Sequence, residues 1–118
     1  MDTNKVTGNK GEEIAAAFLQ QKGFIILEKK WRVHHLEVDI IAVRNGILHF
    51  IEVKTRNSLQ YGYPEESITK EKMNHLKRAS TIYHYRHPKW KRIQFNVVAI
   101  TLANEAVQEI FMNEDVYF

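Results

Sequence analysis

The sequence predicts one α/β domain built on a mixed central sheet of about five strands flanked by helices. Three observations carry that prediction. Two runs of strand-forming residues, 37–43 and 47–54, flank an Asn45-Gly46 pair, the strongest short-range hairpin signal. Two stretches, one before and one after this hairpin, repeat apolar residues at helical spacing. And Val97-Val98-Ala99-Ile100 is apolar on both faces, the mark of a strand in the middle of a sheet covered on both sides.

Taken in order, residues 1–7 read as a loose polar tail. A helix is expected over residues 9–22, where Ile14, Ala15, Phe18 and Leu19 form one stripe and Gly23 ends it. Glu12 follows Asn9 by three, the spacing of a capping-box-like start. The functional alternative is that Glu12 projects towards the charged hairpin. Phe24-Ile25-Ile26-Leu27 opens the first strand, which runs out through Lys29-Lys30-Trp31-Arg32-Val33-His34-His35. Cations interleaved with an aromatic ring suit a phosphate backbone and a stacked base. The competing reading is a solvated strand end with Trp31 half-buried. His34 and His35 are not expected to share a metal, because neighbours on an extended segment face opposite ways.

After the hairpin, residues 55–67 read as a loop punctuated by Gly62 and Pro64, carrying Arg56, Tyr61 and Tyr63. A second helix is expected over residues 69–85. Met73, Leu76, Ser80 and Tyr83 would face the sheet, and Lys70, Lys72, Lys77 and Arg78 would fill much of the remainder. Residues 84–92 form a basic linker, residues 93–102 a strand, Asn104-Glu105 a turn and residues 106–112 an edge strand.

Composition bounds the function classes. With 118 residues the chain makes one domain, residues 1–118, large enough for a real core. It has no cysteine, which excludes disulfides and thiolate metal sites and fits the cytoplasm. No run approaches the ~20 apolar residues that span a membrane, and the polar N-terminus has no signal-peptide core. The net charge of +3 permits a polyanionic partner without requiring one.

The hairpin carries the chemistry. Alternation along a strand puts Glu37 and Asp39 on one face, with Val38 and Ile40 on the other. It likewise puts Glu52 and Lys54 on one face, with Ile51 and Val53 on the other. Strands pair about 5 Å apart, so a suitable register brings Asp39, Glu52 and Lys54 within reach of one another. Two carboxylates on neighbouring strands make a hard, oxygen-rich site suited to Mg²⁺ or Mn²⁺. A lysine beside them completes the parts for metal-assisted hydrolysis of a phosphodiester. A merely solvated ion pair is the plain alternative. Against it, these charges interrupt strongly apolar runs, where burial is costly unless the charge is paired or metal-bound.

Glu52-Val53-Lys54 follows Asp39 after twelve intervening residues. This Asp-x12-Glu-x-Lys pattern resembles the PD-(D/E)xK nuclease superfamily. Gly8-x-x-Gly11-Glu12-x-x-Ala15, Trp31-Arg32, Glu37-x-Asp39-x-Ile41-Ala42, Glu52-Val53-Lys54-Thr55-Arg56, Gly62-x-Pro64 and Lys72 come in one order. Together they resemble the bacterial YraN-like family, a predicted endonuclease family of that superfamily. Two positions depart from its pattern. Leu36 stands where glycine is usual, and Asn96 stands where aspartate is usual, so Asn96 receives no metal role.

The resemblance implies a restriction-endonuclease-like fold and a metal-dependent nuclease acting on DNA. It implies that Asp39 and Glu52 hold Mg²⁺ (or Mn²⁺) together with the Val53 backbone carbonyl. Lys54 would activate the attacking water, and Glu12 would complete the acidic site with Glu37 as an outer partner. Lys30, Trp31, Arg32, Arg56 and Lys72 are the candidate nucleic-acid contacts. Archaeal Holliday-junction resolvases share the architecture, which makes branched DNA a plausible substrate by analogy. A homodimer is one way for so small a domain to cut two strands. The rival readings are a non-catalytic nucleic-acid-binding module on the same fold and an adaptor that uses the sheet edge.

Overall fold

A computed structural model describes residues 3–56, 69–104 and 106–116, with side chains from Asn9 onward. The elements are α1 (Thr3–Gln21), β1 (Ile25–Val33), β2 (Leu36–Arg44), β3 (Ile47–Arg56), α2 (Lys70–Arg86), β4 (Arg92–Ala103) and β5 (Ala106–Asn113). The strands form one sheet in the order β1-β2-β3-β4-β5. Among the described strands only the β3–β4 pairing is parallel; the others are antiparallel. A parallel neighbour needs a long crossover, and the chain between β3 and β4 contains α2. The result is the α/β domain with a five-strand mixed sheet that the pattern predicts.

The hairpin forms as expected. Asn45 and Gly46 both have positive φ, 54° and 75°, the conformation that lets a two-residue turn match the twist of its strands. Each face of the sheet carries one apolar cluster. Under α2, Met73, Leu76 and Tyr83 pack on Val38, Ile41, Leu48 and Phe50. Under α1, Ala15 and Leu19 pack on Ile40, Ile51, Val98 and Ile100. Met73, Leu76, Ser80 and Tyr83 are all buried, as the helical spacing requires. Thr69 caps α2, its hydroxyl accepting the Lys72 N–H at 3.2 Å.

Two expectations are corrected. The first helix starts at Thr3, not near residue 9, so most of the expected tail is helical. Gly8 and Gly11 each cost about 1 kcal/mol in a helix, which hides this start from propensity reasoning. Asn9 is therefore an interior helical residue, and it forms no capping box with Glu12. Its side chain instead accepts a hydrogen bond from Lys30 Nζ. Second, Val38 joins the cluster under α2 while Ile40 joins that under α1, so simple alternation breaks at Asp39. The loop expected over residues 55–67 lies, beyond Arg56, outside the described residues.

A polar cluster fastens the end of the chain. Asn96 Nδ2 donates to buried His49 Nδ1 at 2.9 Å, and Asn96 Oδ1 accepts the Asp115 N–H at 3.1 Å. Arg44 Nη2 reaches Glu114 Oε1 at 2.6 Å, with its guanidinium over the Phe24 ring. Asn96 thus has a structural place, bonded to His49 and to the Asp115 N–H. Among the described residues, no helix is long and apolar enough to cross a membrane.

Candidate functional site

The site begins where two strands part. The β2–β3 ladder runs from Arg44 opposite Ile47 to Ile40 opposite Ile51. Beyond that rung the Asp39 side chain takes over, and the Val53 N–H donates to Asp39 Oδ2 at 2.8 Å. The strands then diverge, which is why Val38 and Ile40 fall in different clusters. A cleft of about 220 Å³ opens there against α2, bordered by His35, Glu37, Asp39, Glu52, Lys72 and His75.

A close helix approach brings in a fourth acid. A Cβ on Gly11 would lie 1.9 Å from Thr55 Oγ1, so only glycine lets α1 sit this near the end of β3. The next residue, Glu12, then shares the field of the strand carboxylates. Its Oε1 is buried and has no hydrogen-bond partner among the described residues. Burial raises the Glu12 pKa; Lys30 opposes this, and Glu37 and Glu52 add to it. Asp39 is pushed up to about 8, first by burial and then by Glu52, with Glu12 and Glu37 contributing. The Val53 N–H works the other way and holds the carboxylate in place. Burial and like charges favour the neutral form of an acid, so four carboxylates from three elements strain against one another here.

That arrangement fits a hard divalent cation. Its side-chain donors are carboxylate oxygens, and a nearby cation would offset the burial and the repulsion that raise Asp39 and Glu12. Among the described residues, no three His, Cys, Asp or Glu side chains form a ready-made metal cage. Mg²⁺ does not require one, since it commonly keeps several waters and takes one or two carboxylates.

The remaining expected residues fall into two groups. Lys54 is half-buried on β3, opposite Ala99, two residues beyond Glu52. Lys72 borders the cleft, with its Nζ 3.2 Å from Glu52 Oε1. The basic end of β1 also makes contacts within the molecule. Lys30 bonds Asn9, Trp31 packs edge-on to Tyr83 at 5.0 Å, and Arg32 lies 3.4 Å from Glu37. Trp31 is half-buried against the core, while Lys30 and Arg32 act on Glu12 and Glu37. Arg56 is half-buried at the end of β3. Sequence reasoning missed His35 and His75, whose rings meet at 6.0 Å across the cleft mouth. The available signal was that His75 follows Lys72 by three, placing the two on one helix face.

A family profile described as "Uncharacterised protein family UPF0102" matches residues 11–100. The chain belongs to this family. It is 42% identical over 101 residues to a UPF0102 protein of Dictyoglomus turgidum, covering 85% of this chain and 86% of that one. A UPF0102 protein of Chloroherpeton thalassium is 38% identical over 125 aligned positions, covering 99% and 97% of the two chains. One of Cytophaga hutchinsonii is 45% identical over 94 residues, covering 80% and 83%. The matched span contains Glu12, Asp39, Glu52, Lys54 and Lys72, so every acid and lysine proposed for the site lies within the family domain.

Proposed function

We propose that this UPF0102 protein is a metal-dependent nuclease that hydrolyses phosphodiester bonds of DNA in the cytoplasm. The observation that carries this reading is Asp39, bonded to the Val53 N–H in a cleft with Glu52 and raised by burial and by the neighbouring carboxylates. A structural protein gains nothing from holding like charges together at such a cost. Asp39 and Glu52, with the Val53 carbonyl, would hold Mg²⁺ or Mn²⁺. Bound there, the ion would polarise the phosphate and acidify a water.

The chain's own groups supply the rest. The Val53 N–H fixes the Asp39 carboxylate, so little reorganisation is needed when the site is used. Lys54 is the candidate to take a proton from the attacking water or steady charge on the phosphate. Glu12 reaches the site from α1 and can orient a water through its buried oxygen. Lys72 neutralises Glu52 in the free protein and can turn to a substrate phosphate, because its side chain is 58% exposed.

The Lys72–Glu52 pair also supports a second reading, in which the site is internally neutralised and the domain binds nucleic acid without cutting. One experiment separates the two. Single-turnover cleavage of single-stranded, duplex, flap and four-way-junction DNA is measured with Mg²⁺ and Mn²⁺, for the parent and for Lys54→Ala. Parent cleavage that falls by orders of magnitude in Lys54→Ala, with Mn²⁺ affinity retained, supports the nuclease. A parent that binds DNA but cuts none of these substrates puts the binding module ahead.

A further inference from the structure

His35 and His75 belong to neither the carboxylate set nor the basic strand. His35 sits in the turn between β1 and β2, beside His34 with its φ of 55°. His75 is on α2, one turn beyond Lys72. Their rings stand perpendicular, and both border the cleft that holds Asp39 and Glu52. The cleft also continues past them. One neighbouring depression is bordered by His34, His35, Arg78, Thr81 and Ile82. Another is bordered by Lys70, Asn74, His75, Lys77 and Arg78, with Glu71 the one acid among the described residues. His35 joins the cleft to the first depression, His75 joins it to the second, and Arg78 is shared by both. The three form one track between the β1–β2 turn and α2, anionic at the carboxylates and cationic beyond them.

The chemistry of this track selects one kind of occupant. The cleft itself, about 220 Å³, has room for a phosphodiester and its sugar, and the depressions beside it are larger, about 540 and 670 Å³. Imidazole rings at its mouth offer flat faces on which an unpaired base stacks, a contact that paired bases within a duplex cannot make. The guanidinium of Arg78 and the lysines beyond suit the phosphates that follow.

We propose that the track receives an unpaired nucleic-acid strand, with His35 and His75 stacking the bases beside the cleft and Arg78 contacting a backbone phosphate. This rests on the nuclease reading and narrows its substrate to single strands or the single-stranded arms of branched DNA. It also moves the expected contact surface from the end of β1 to the groove beside α2.

The test is fluorescence anisotropy with Ca²⁺ present, comparing a short oligothymidylate with a blunt duplex of equal length. The single strand should bind about tenfold tighter than the duplex. His35→Ala and His75→Ala should each weaken single-strand binding about tenfold, the loss of one stacked base. His75→Phe, which keeps a ring, should restore it. Arg78→Ala should flatten the log-affinity against log-salt slope by about 0.7, the value for one phosphate on a single strand. Mn²⁺ affinity, measured by calorimetry, should be unchanged in all four variants. A duplex bound as tightly as the single strand, or histidine variants that bind like the parent, would overturn this proposal and leave the nuclease reading standing. A parent that binds and cuts no nucleic acid would overturn both.

Discussion

Lys72 Nζ lies 3.2 Å from Glu52 Oε1, tying α2 to the strand that carries the site. Glu52 raises the Lys72 pKa, so the lysine is held in its charged form where a divalent cation would be expected to compete with it. Because Lys72 is largely exposed, the pair contributes only about 0–1 kcal/mol and is easily exchanged. Lys72→Ala should therefore tighten Mn²⁺ binding by two- to fivefold, about 0.5–1 kcal/mol. Cleavage should fall at the same time if the released ammonium serves a phosphate. Calorimetry beside single-turnover rates checks both, and unchanged Mn²⁺ affinity would mean that Lys72 does not compete for Glu52.

Asp39 gives the metal-free protein a pH-dependent weakness. Its pKa rises from 3.8 to about 8 on folding, so the folded state binds this proton more tightly than the unfolded chain does. The sign follows from linkage: stability falls as pH rises from about 4 to 8, and the full penalty is present above that. Asp39→Asn keeps an oxygen for the Val53 N–H and removes the charge. At pH 8 without metal it should be about 1–2 kcal/mol more stable than the parent, while losing activity. Thermal melts of both proteins across this pH window measure the difference. A parent no more pH-sensitive than the variant would show that Asp39 is not strained.

Gly11 sets the distance between α1 and β3. In a helix interior, alanine is normally favoured over glycine by about 1 kcal/mol. At this position the new Cβ would meet Thr55 Oγ1 at 1.9 Å and Thr55 Cβ at 3.0 Å. Gly11→Ala should therefore destabilise by about 1–3 kcal/mol, the range for overpacking. It should also reduce cleavage by shifting Glu12. Adding Thr55→Ala removes Oγ1 and should recover much of the loss. Chemical denaturation of the two single variants and the double variant tests this, and strict additivity would show that Thr55 is not the obstacle.

His49, three residues before Glu52 on β3, produces the opposite pH slope. Burial, reinforced by Arg44, lowers its pKa below the ordinary 6.5. The unfolded chain takes up this proton first, so the stability held above pH 6.5 is lost as pH falls through and below that value. In an Asp39→Asn background, which removes the Asp39 slope, His49→Gln should reduce the stability lost between about pH 6.5 and 5. Asn96→Ala should cost about 1–3 kcal/mol, since it leaves His49 Nδ1 and the Asp115 N–H without their partner. Denaturant melts at each pH distinguish these variants from the parent.

The sequence by itself determined the elements whose signals are local. Asn45-Gly46 forces its own turn by favouring positive φ at both positions. The spacing of Met73, Leu76, Ser80 and Tyr83 defines the buried face of α2. Val97 to Ile100 can only be a covered central strand. Asp39 and Glu52 were legible as candidates because charges inside apolar runs are costly, and the hairpin turn limits their register. Only the tertiary structure decided the rest, because it depends on contacts between distant segments. The docking of α1 made helix out of Gly8 and Gly11 and placed Glu12 beside the strand acids. The divergence of β2 from β3 broke the alternation at Asp39 and opened the cleft. Packing against Tyr83 half-buried Trp31, and Asn9 and Glu37 took up Lys30 and Arg32. His35 and His75 are forty positions apart in the chain, so no spacing rule joins them. They meet because the β1–β2 turn and α2 border the same cleft.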